Sequence, residues 1–247
     1  MEWLKFRASQ CSALFLGEDG LTDKQQDELN TLINKDKRTP LQDIKMNELM
    51  LKRDADTELS KGAKSYIESV VDEYVYQYRD SIDNKYTKKG TDVEDKSIEI
   101  LNTFFFTDYK KSETYLQKGH FHGHPDVEDE DEKMILDAKS SWNKKTFPKK
   151  PVDCEKAEYE WQGKLYCYMK GWSKFRLAYV LVSTPEGLVP EYEDESLHYV
   201  DNLSLNLRIT YVDYILSDED IKKIERREKA AVKYAEEYYN FLINKNK

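Results

Sequence analysis

The chain predicts an α/β fold: a central mixed β-sheet flanked by helices, with helical additions at both ends. Three observations predict it. The order of patterns runs helices, strands, helix, strands and a final helix, which suits a layered α/β sandwich rather than separate all-α and all-β units. The 247 residues are 39% hydrophobic and 13% aromatic, enough for one sizeable core. The middle of the chain also carries a hairpin signature, two short strand-like segments either side of an acidic connection.

Taken in order, residues 1–20 read as a short helix with Phe6, Cys11, Leu14 and Phe15 on its apolar side, ending near Gly17 and Gly20. Residues 21–60 are polar and helix-permissive, broken at Thr39-Pro40, and form a helical arm. Lys64 to Arg79 is a firmer helix, with Tyr66, Val70, Tyr74 and Tyr78 in one stripe beside Ile67, Val71 and Val75. A loop through Asn84 and Gly90 precedes a helix from Asp92 to Phe105. Strands follow over Thr114–Gly123 and in the hairpin Asp126–Ser140. A helix from Cys154 to Gly171, a buried strand over Leu177–Thr184 and an alternating strand over Leu205–Tyr214 come next. Ser217 caps a last helix whose first turn holds Asp218, Glu219 and Asp220, and which runs to about Asn244. This gives a single domain, 1–247: an N-terminal arm (1–60), a core (64–184) and a C-terminal strand and helix (205–247).

Composition excludes several classes. No run of eighteen apolar residues is present, so no membrane-spanning helix is expected, and the opening residues lack the apolar segment of a signal peptide. Cys11, Cys154 and Cys167 are few, odd in number and widely spaced, which suits a reducing cytoplasm and fits no zinc or iron-sulfur pattern. The net charge of −9 argues against a general nucleic-acid coat, but an enzyme acting on an anionic substrate needs positive potential only along its substrate path. Lys144-Lys145 with Lys149-Lys150, and Lys88-Lys89, are candidates for that path. Either group alone is more often a solvated surface feature.

The chemistry concentrates in Gly123-His124-Pro125-Asp126 and Asp137-Ala138-Lys139. If the hairpin is centred on Asp131 and Glu132, Asp126 lies opposite Asp137, and directly opposed side chains stand roughly 5 Å apart. Two carboxylates so placed repel unless a cation lies between them, and oxygen ligands select a hard divalent cation, Mg²⁺ or Mn²⁺. Asp137 and Lys139, two apart on a strand, share a face. The lysine can then orient or activate a water beside the metal, which is the equipment for hydrolysing a phosphodiester. His120, His122 and His124 alternate on one strand and could bind a metal, although His-rich strands are more often solvent-facing or phosphate-adjacent. Glu94 near a helix start is favourable there for the helix dipole alone. Gln162 and Tyr166 stand at i and i+4 on one helix face.

Together, a helix glutamate, Gly-x-Pro-Asp, Asp-x-Lys and Gln-x-x-x-Tyr in that order resemble the PD-(D/E)XK nuclease superfamily. The last element narrows the resemblance to the RecB-type branch. Phe6-Arg7-Ala8-Ser9-Gln10-Cys11, with Gly90-x-x-x-Glu94, is similar to the lambda-exonuclease/YqaJ type of phage recombination nuclease. The core of the resemblance covers roughly residues 86–184. It implies a restriction-endonuclease-like core in which Glu94, Asp126, Asp137 and the Ala138 carbonyl hold the metal. Lys139 would position or deprotonate the attacking water, Gln162 would orient substrate or the lysine, and Tyr166 would pack beside it. Arg7 and Ser9 would take the 5′ phosphate of a DNA end. Asp137 stands where Glu is commoner, and the iron-sulfur cysteines of some relatives are absent.

The implied activity is a Mg²⁺- or Mn²⁺-dependent exonuclease acting on linear duplex DNA from the 5′ strand. The resemblance adds a single-strand annealing protein as partner, a ring-shaped homo-oligomer and, if the chain is phage-encoded, the host cytoplasm. Two alternatives stand beside it: an endonuclease of restriction or repair type on the same core, and a catalytically inactive DNA-binding scaffold.

Overall fold

The computed structural model describes residues 1–16, 21, 23–54, 59–79 and 84–245. Its central sheet has the order β4 (Val127–Asp129), β5 (Met134–Ser140), β6 (Lys174–Val180), β7 (Ile209–Ile215). β4 and β5 run antiparallel, β5 and β6 parallel, β6 and β7 antiparallel, so the sheet is mixed as the sequence predicts. A parallel neighbour requires a crossover. Here α6 (Pro151–Cys154) and α7 (Ala157–Lys170) supply it.

α7 lies on one face of the sheet, α5 (Glu94–Phe105) on the other. The α5 face buries Leu136, Ala178, Val180 and Ile209 against Val93, Ile98 and Leu101. The α7 face buries Ile135, Phe175 and Leu177 against Leu165 and Cys167, and extends to α3 (Lys61–Val75) and α8 (Asp218–Asn244). Each such fully buried apolar side chain contributes about 1.5–3 kcal/mol. α7 approaches β6 very closely: a Cβ on Gly163 would fall 2.1 Å from the Phe175 ring, so only glycine fits there. A second sheet orders β1 (Phe6–Arg7), β3 (Phe121–Gly123) and β2 (Leu116–Lys118). α1 (Asp23–Ile33) and α2 (Pro40–Asp54) form a hairpin with a small core of its own, Leu29, Leu32 and Leu49.

Several boundaries differ from the sequence reading, each for a local reason. Residues 1–16 are not a helix. The N–H groups of Phe6 and Ala8 donate to the carbonyls of His120 and His122 at 2.7 and 2.8 Å, so β3 captures this segment as a strand, followed by a 3₁₀ turn over Cys11–Leu14. The expected helix end near Gly17 and Gly20 lies outside the described residues. Residues 85–92 are helical (α4, Lys85–Asp92) rather than a loop, because Asn84 and Thr87 form a reciprocal capping box that outweighs Gly90. The helix expected from Cys154 begins at Ala157, after an extended Glu155-Lys156. β6 starts and ends earlier than expected, and Leu205–Leu207 is a 3₁₀ turn that delays β7 to Ile209. Pro40 opens α2, where its missing N–H costs nothing, and Ser217 caps α8 with Asp220 in return. Among the described residues no helix is long and apolar enough to cross a membrane. Cys11, Cys154 and Cys167 are free and buried.

Candidate active site

The hairpin places the first two carboxylates. Val127 pairs with Leu136, Glu128 with Ile135 and Asp129 with Met134, the register of a turn centred on Asp131 and Glu132. The turn is stabilised locally: the Asp129 carboxylate accepts from the N–H groups of Asp131 and Glu132 at 3.2 and 3.0 Å. One step beyond the paired residues, Asp126 Oδ2 accepts from the Ala138 N–H at 2.8 Å. A strand residue sends its N–H and C=O to the same edge. The Ala138 carbonyl therefore leaves toward Asp126, on the open side of β5.

Asp137 and Lys139 point from β5 to the α7 face. Asp137 is 1% exposed, and the Lys139 ammonium stands 2.5 Å from its Oδ2. From α7, Gln162 Nε2 donates to Asp137 Oδ1 at 3.0 Å and to the Tyr166 hydroxyl at 3.3 Å. The i, i+4 pair is thus brought to the site, with Gln162 gripping the carboxylate rather than the lysine. Tyr166 in turn packs on Gly123, where an added Cβ would lie 2.8 Å from its ring. The Tyr159 ring, also on α7, lies 5.1 Å from the Lys139 ammonium.

Glu94 opens α5, and two contacts tie that helix and α4 before it to the sheet. Lys89, five residues earlier and 1% exposed, donates to the carbonyls of Ser141, Trp142 and Val182 at 2.7, 3.0 and 2.8 Å. These carbonyls lie where β5 and β6 end and diverge, so the ammonium saturates groups that have lost their ladder. Burial pushes that ammonium down to about 8, which still leaves it charged at neutral pH. Three residues after Glu94, the Ser97 hydroxyl meets that of Ser140 at 3.0 Å. Glu94 itself pairs with Lys111 at 3.0 Å, and its charge is felt at Asp126.

The electrostatics follow from three carboxylates sharing little water. Burial, and then the charge of Asp137, push Asp126 up to about 7. For Lys139 burial alone acts downward, but Asp137 and then Asp126 outweigh it and hold the ammonium above the ordinary lysine range. Burial, with Asp137 adding to it, raises Tyr166 above the ordinary phenol range, so its hydroxyl stays neutral. Among the described residues no three His, Cys, Asp or Glu side chains converge as a ready-made coordination shell. Lys139 and Lys111 instead lean on the carboxylates. The donors nevertheless fit a hard divalent cation: they are oxygens only, and among the described residues the buried Asp137 Oδ2 is met by the Lys139 ammonium alone.

Other expected participants sit elsewhere or are committed. The Arg7 guanidinium bonds to Glu73 Oε2 and Gln10 Oε1, both at 3.0 Å, and Ser9 is exposed in the turn that follows β1. His120 is bound to Glu228 of α8 through both its ring and its N–H, while His122 and His124 lie against Tyr115, so the three do not form a common site. Of the lysines expected on a surface path, Lys89 is buried. Lys144 and Lys149 donate to backbone carbonyls, and Lys88 pairs with Asp92. Lys111 and Ser97 have no signal in the sequence as site residues, and Lys89 reads there only as a surface lysine, because their partners lie on segments remote in the chain.

No family model and no curated protein matches the sequence. Solved structures do share the fold. A phage-related exonuclease from Haemophilus somnus 129PT superposes with a TM-score of 0.73 at 23% identity, over 98% of this chain and 97% of that one. An alkaline exonuclease (LHK-Exo) from Laribacter hongkongensis gives 0.59 at 12% identity over 99% and 96%. Its complex with dAMP gives 0.57 at 14%, with the same coverage. At such identities the likeness is one of fold, and it extends over nearly the whole of each chain.

Proposed function

We propose that this chain is a metal-dependent DNA exonuclease of the PD-(D/E)XK superfamily, degrading linear duplex from the 5′ strand in phage-type recombination. The observation that carries the reading is the meeting of Asp126, Asp137, Lys139, Gln162 and Tyr166 at β5, with Glu94 of α5 near enough for its charge to act on Asp126. The whole-chain likeness in fold to exonucleases supports it. In this reading Glu94, Asp126, Asp137 and the Ala138 carbonyl hold Mg²⁺ or Mn²⁺, which when bound supplies Lewis-acid stabilisation of the phosphate and a more acidic water. Lys139, held as an ammonium, orients that water by donating to it. Gln162 fixes the Asp137 carboxylate, and Tyr166 fixes Gln162. Hydrolysis joins the water oxygen to phosphorus and breaks a P–O bond of the strand. A ring-shaped homo-oligomer, an annealing-protein partner and a cytoplasmic setting complete the proposal.

The test is digestion of linear and closed-circular duplex, with 5′ phosphate or 5′ hydroxyl, in Mg²⁺ or EDTA. Loss of linear duplex only, and only with metal, is expected. Full activity in EDTA rejects the metal reading. One observation favours the endonuclease alternative: Arg7 is engaged by Glu73, so a built 5′-phosphate anchor is lacking in this conformation. Rapid nicking of closed circles selects that alternative.

A further inference from the structure

The carboxylates are flanked by two ammoniums, and the reading above employs one of them. Lys139 approaches from the α7 face and is 25% exposed. Lys111 approaches from the other direction, 51% exposed, with its ammonium 3.0 Å from Glu94 Oε1 and near enough to feel Asp95 and Asp126. Its position is built rather than incidental. Lys111 bridges to Val127 in antiparallel fashion, and the next N–H, of Ser112, donates to the Asp126 carbonyl at 2.7 Å. The backbone carrying Lys111 is therefore stitched to the backbone carrying Asp126. Lys110, the preceding residue, points away and pairs only loosely with Asp108 at 3.8 Å, both side chains lying in solvent.

Charge balance gives Lys111 a task. With all three carboxylates ionised, as metal ligation requires, they and the two ammoniums leave one negative charge. A divalent cation reverses that to one positive charge, which a single phosphodiester neutralises. The cation competes with Lys111 for Glu94, and an exposed ion pair is weak enough to exchange. Asp137 is sealed beneath the site, so the phosphodiester arrives from the solvent side, where Lys111 stands.

Resting on the nuclease reading, we infer that Lys111 is a further catalytic residue, which leaves Glu94 when the metal binds and donates to a non-bridging oxygen of the scissile phosphate. Its ammonium then stabilises charge developing on the phosphoryl oxygens. The alternative is a prop that merely holds Glu94 in place, and the two roles predict opposite effects on metal affinity.

The experiment compares wild type, Lys111→Met, Lys111→Arg and Lys110→Met by Mn²⁺ titration calorimetry without DNA and by steady-state cleavage of linear duplex. Lys111→Met removes a competitor, so Mn²⁺ is expected to bind about 3- to 10-fold more tightly. Its kcat/KM is expected to fall about 30- to 300-fold, and the salt dependence of DNA binding to weaken by about one charge. Lys111→Arg should recover most of the loss, and Lys110→Met should leave both parameters within about twofold. Weaker Mn²⁺ binding by Lys111→Met overturns the inference in favour of the prop, and unchanged cleavage overturns it as well. In both cases wild-type nuclease activity stands, so the parent reading survives. A wild type that cuts no DNA removes the parent reading and this inference together.

Discussion

The carboxylate centre on β5 and the N-terminal element around Arg7 make an instructive pair, since the same resemblance assigns a role to each. At the centre, Asp126, Asp137 and Lys139 are short or strand-anchored side chains whose places follow from backbone register, and the structure brings them together. Arg7 stands on β1, two residues long, at the end of a long flexible side chain, and its guanidinium goes to Glu73 on α3 and to Gln10. The lesson is that a position follows from the sequence when the backbone places the atoms. It does not when a side chain with a reach of several ångströms can choose among partners.

The largest expected effect lies at the centre. Lys139→Ala should retain Mn²⁺ binding and lose cleavage by about 10³-fold or more, as read by calorimetry alongside single-turnover kinetics. Asp137→Asn should lose both, with folding preserved because the amide oxygen still accepts from Gln162. Asp137→Ala should be less stable, since Gln162 and Lys139 are then left without their partner. Cleavage near the wild-type rate in either Asp137→Asn or Lys139→Ala would place the chemistry elsewhere and dissolve the contrast.

The link between the two regions can be stressed next. Lys89→Met strips the Ser141 and Val182 carbonyls of their side-chain donor, leaves that of Trp142 to Thr184, and loosens α4, the helix that leads into Glu94. We expect a loss of about 2–4 kcal/mol in urea unfolding, with Mn²⁺ affinity falling in the fraction that remains folded. Unchanged Mn²⁺ affinity in folded Lys89→Met would show that Glu94 is positioned without it.

At the N-terminal element, Glu73→Gln should release Arg7. If the guanidinium can grip a phosphate at two points, this variant should increase the preference for 5′-phosphorylated over 5′-hydroxyl ends by about 2- to 5-fold. Arg7→Ala should abolish that preference while slow cleavage persists. An equal rate on both ends in wild type and Glu73→Gln would confine Arg7 to its ion pair.

The smallest effect is on stability. Asp126 is raised to about 7 in the fold, above its unfolded value near 3.8, so the folded state holds the extra proton between those limits. Its contribution is fully present below about pH 4 and is lost as pH rises toward 7. The slope of Tm against pH between 4 and 7, measured without metal, should therefore be more favourable in Asp126→Asn than in wild type, by about 5 °C over the window. Added Mn²⁺ should abolish the difference in wild type. Identical pH profiles for the two proteins would mean that burial and Asp137 do not load this group.

The elements that were legible are those with short-range causes. Ser217 with Asp220 starts α8, Pro40 opens α2, and the symmetry of the connection around Asp131 and Glu132 sets the hairpin register. Asn84 with Thr87 is equally local, but Gly90 five residues on from Lys85 gives the same stretch the look of a loop. The strand at Phe6 had no local cause. Its apolar spacing suits a helix, and only the free edge of β3, more than a hundred residues on, draws it into a sheet.

By itself the sequence determined the mixed α/β layering and the placing of Asp126 opposite Asp137, with Lys139 beside Asp137 on the same strand face. A period of two and a turn of fixed length leave those residues no other relation. Only the tertiary structure decided which cations lean on the carboxylates, that Gln162 holds Asp137, that Lys89 pins the helix before Glu94, and that Arg7 answers to Glu73. Lysine, arginine and glutamine place their polar atoms several bonds from the backbone. Their partners are therefore chosen by packing between segments far apart in the chain, where no local pattern records the choice.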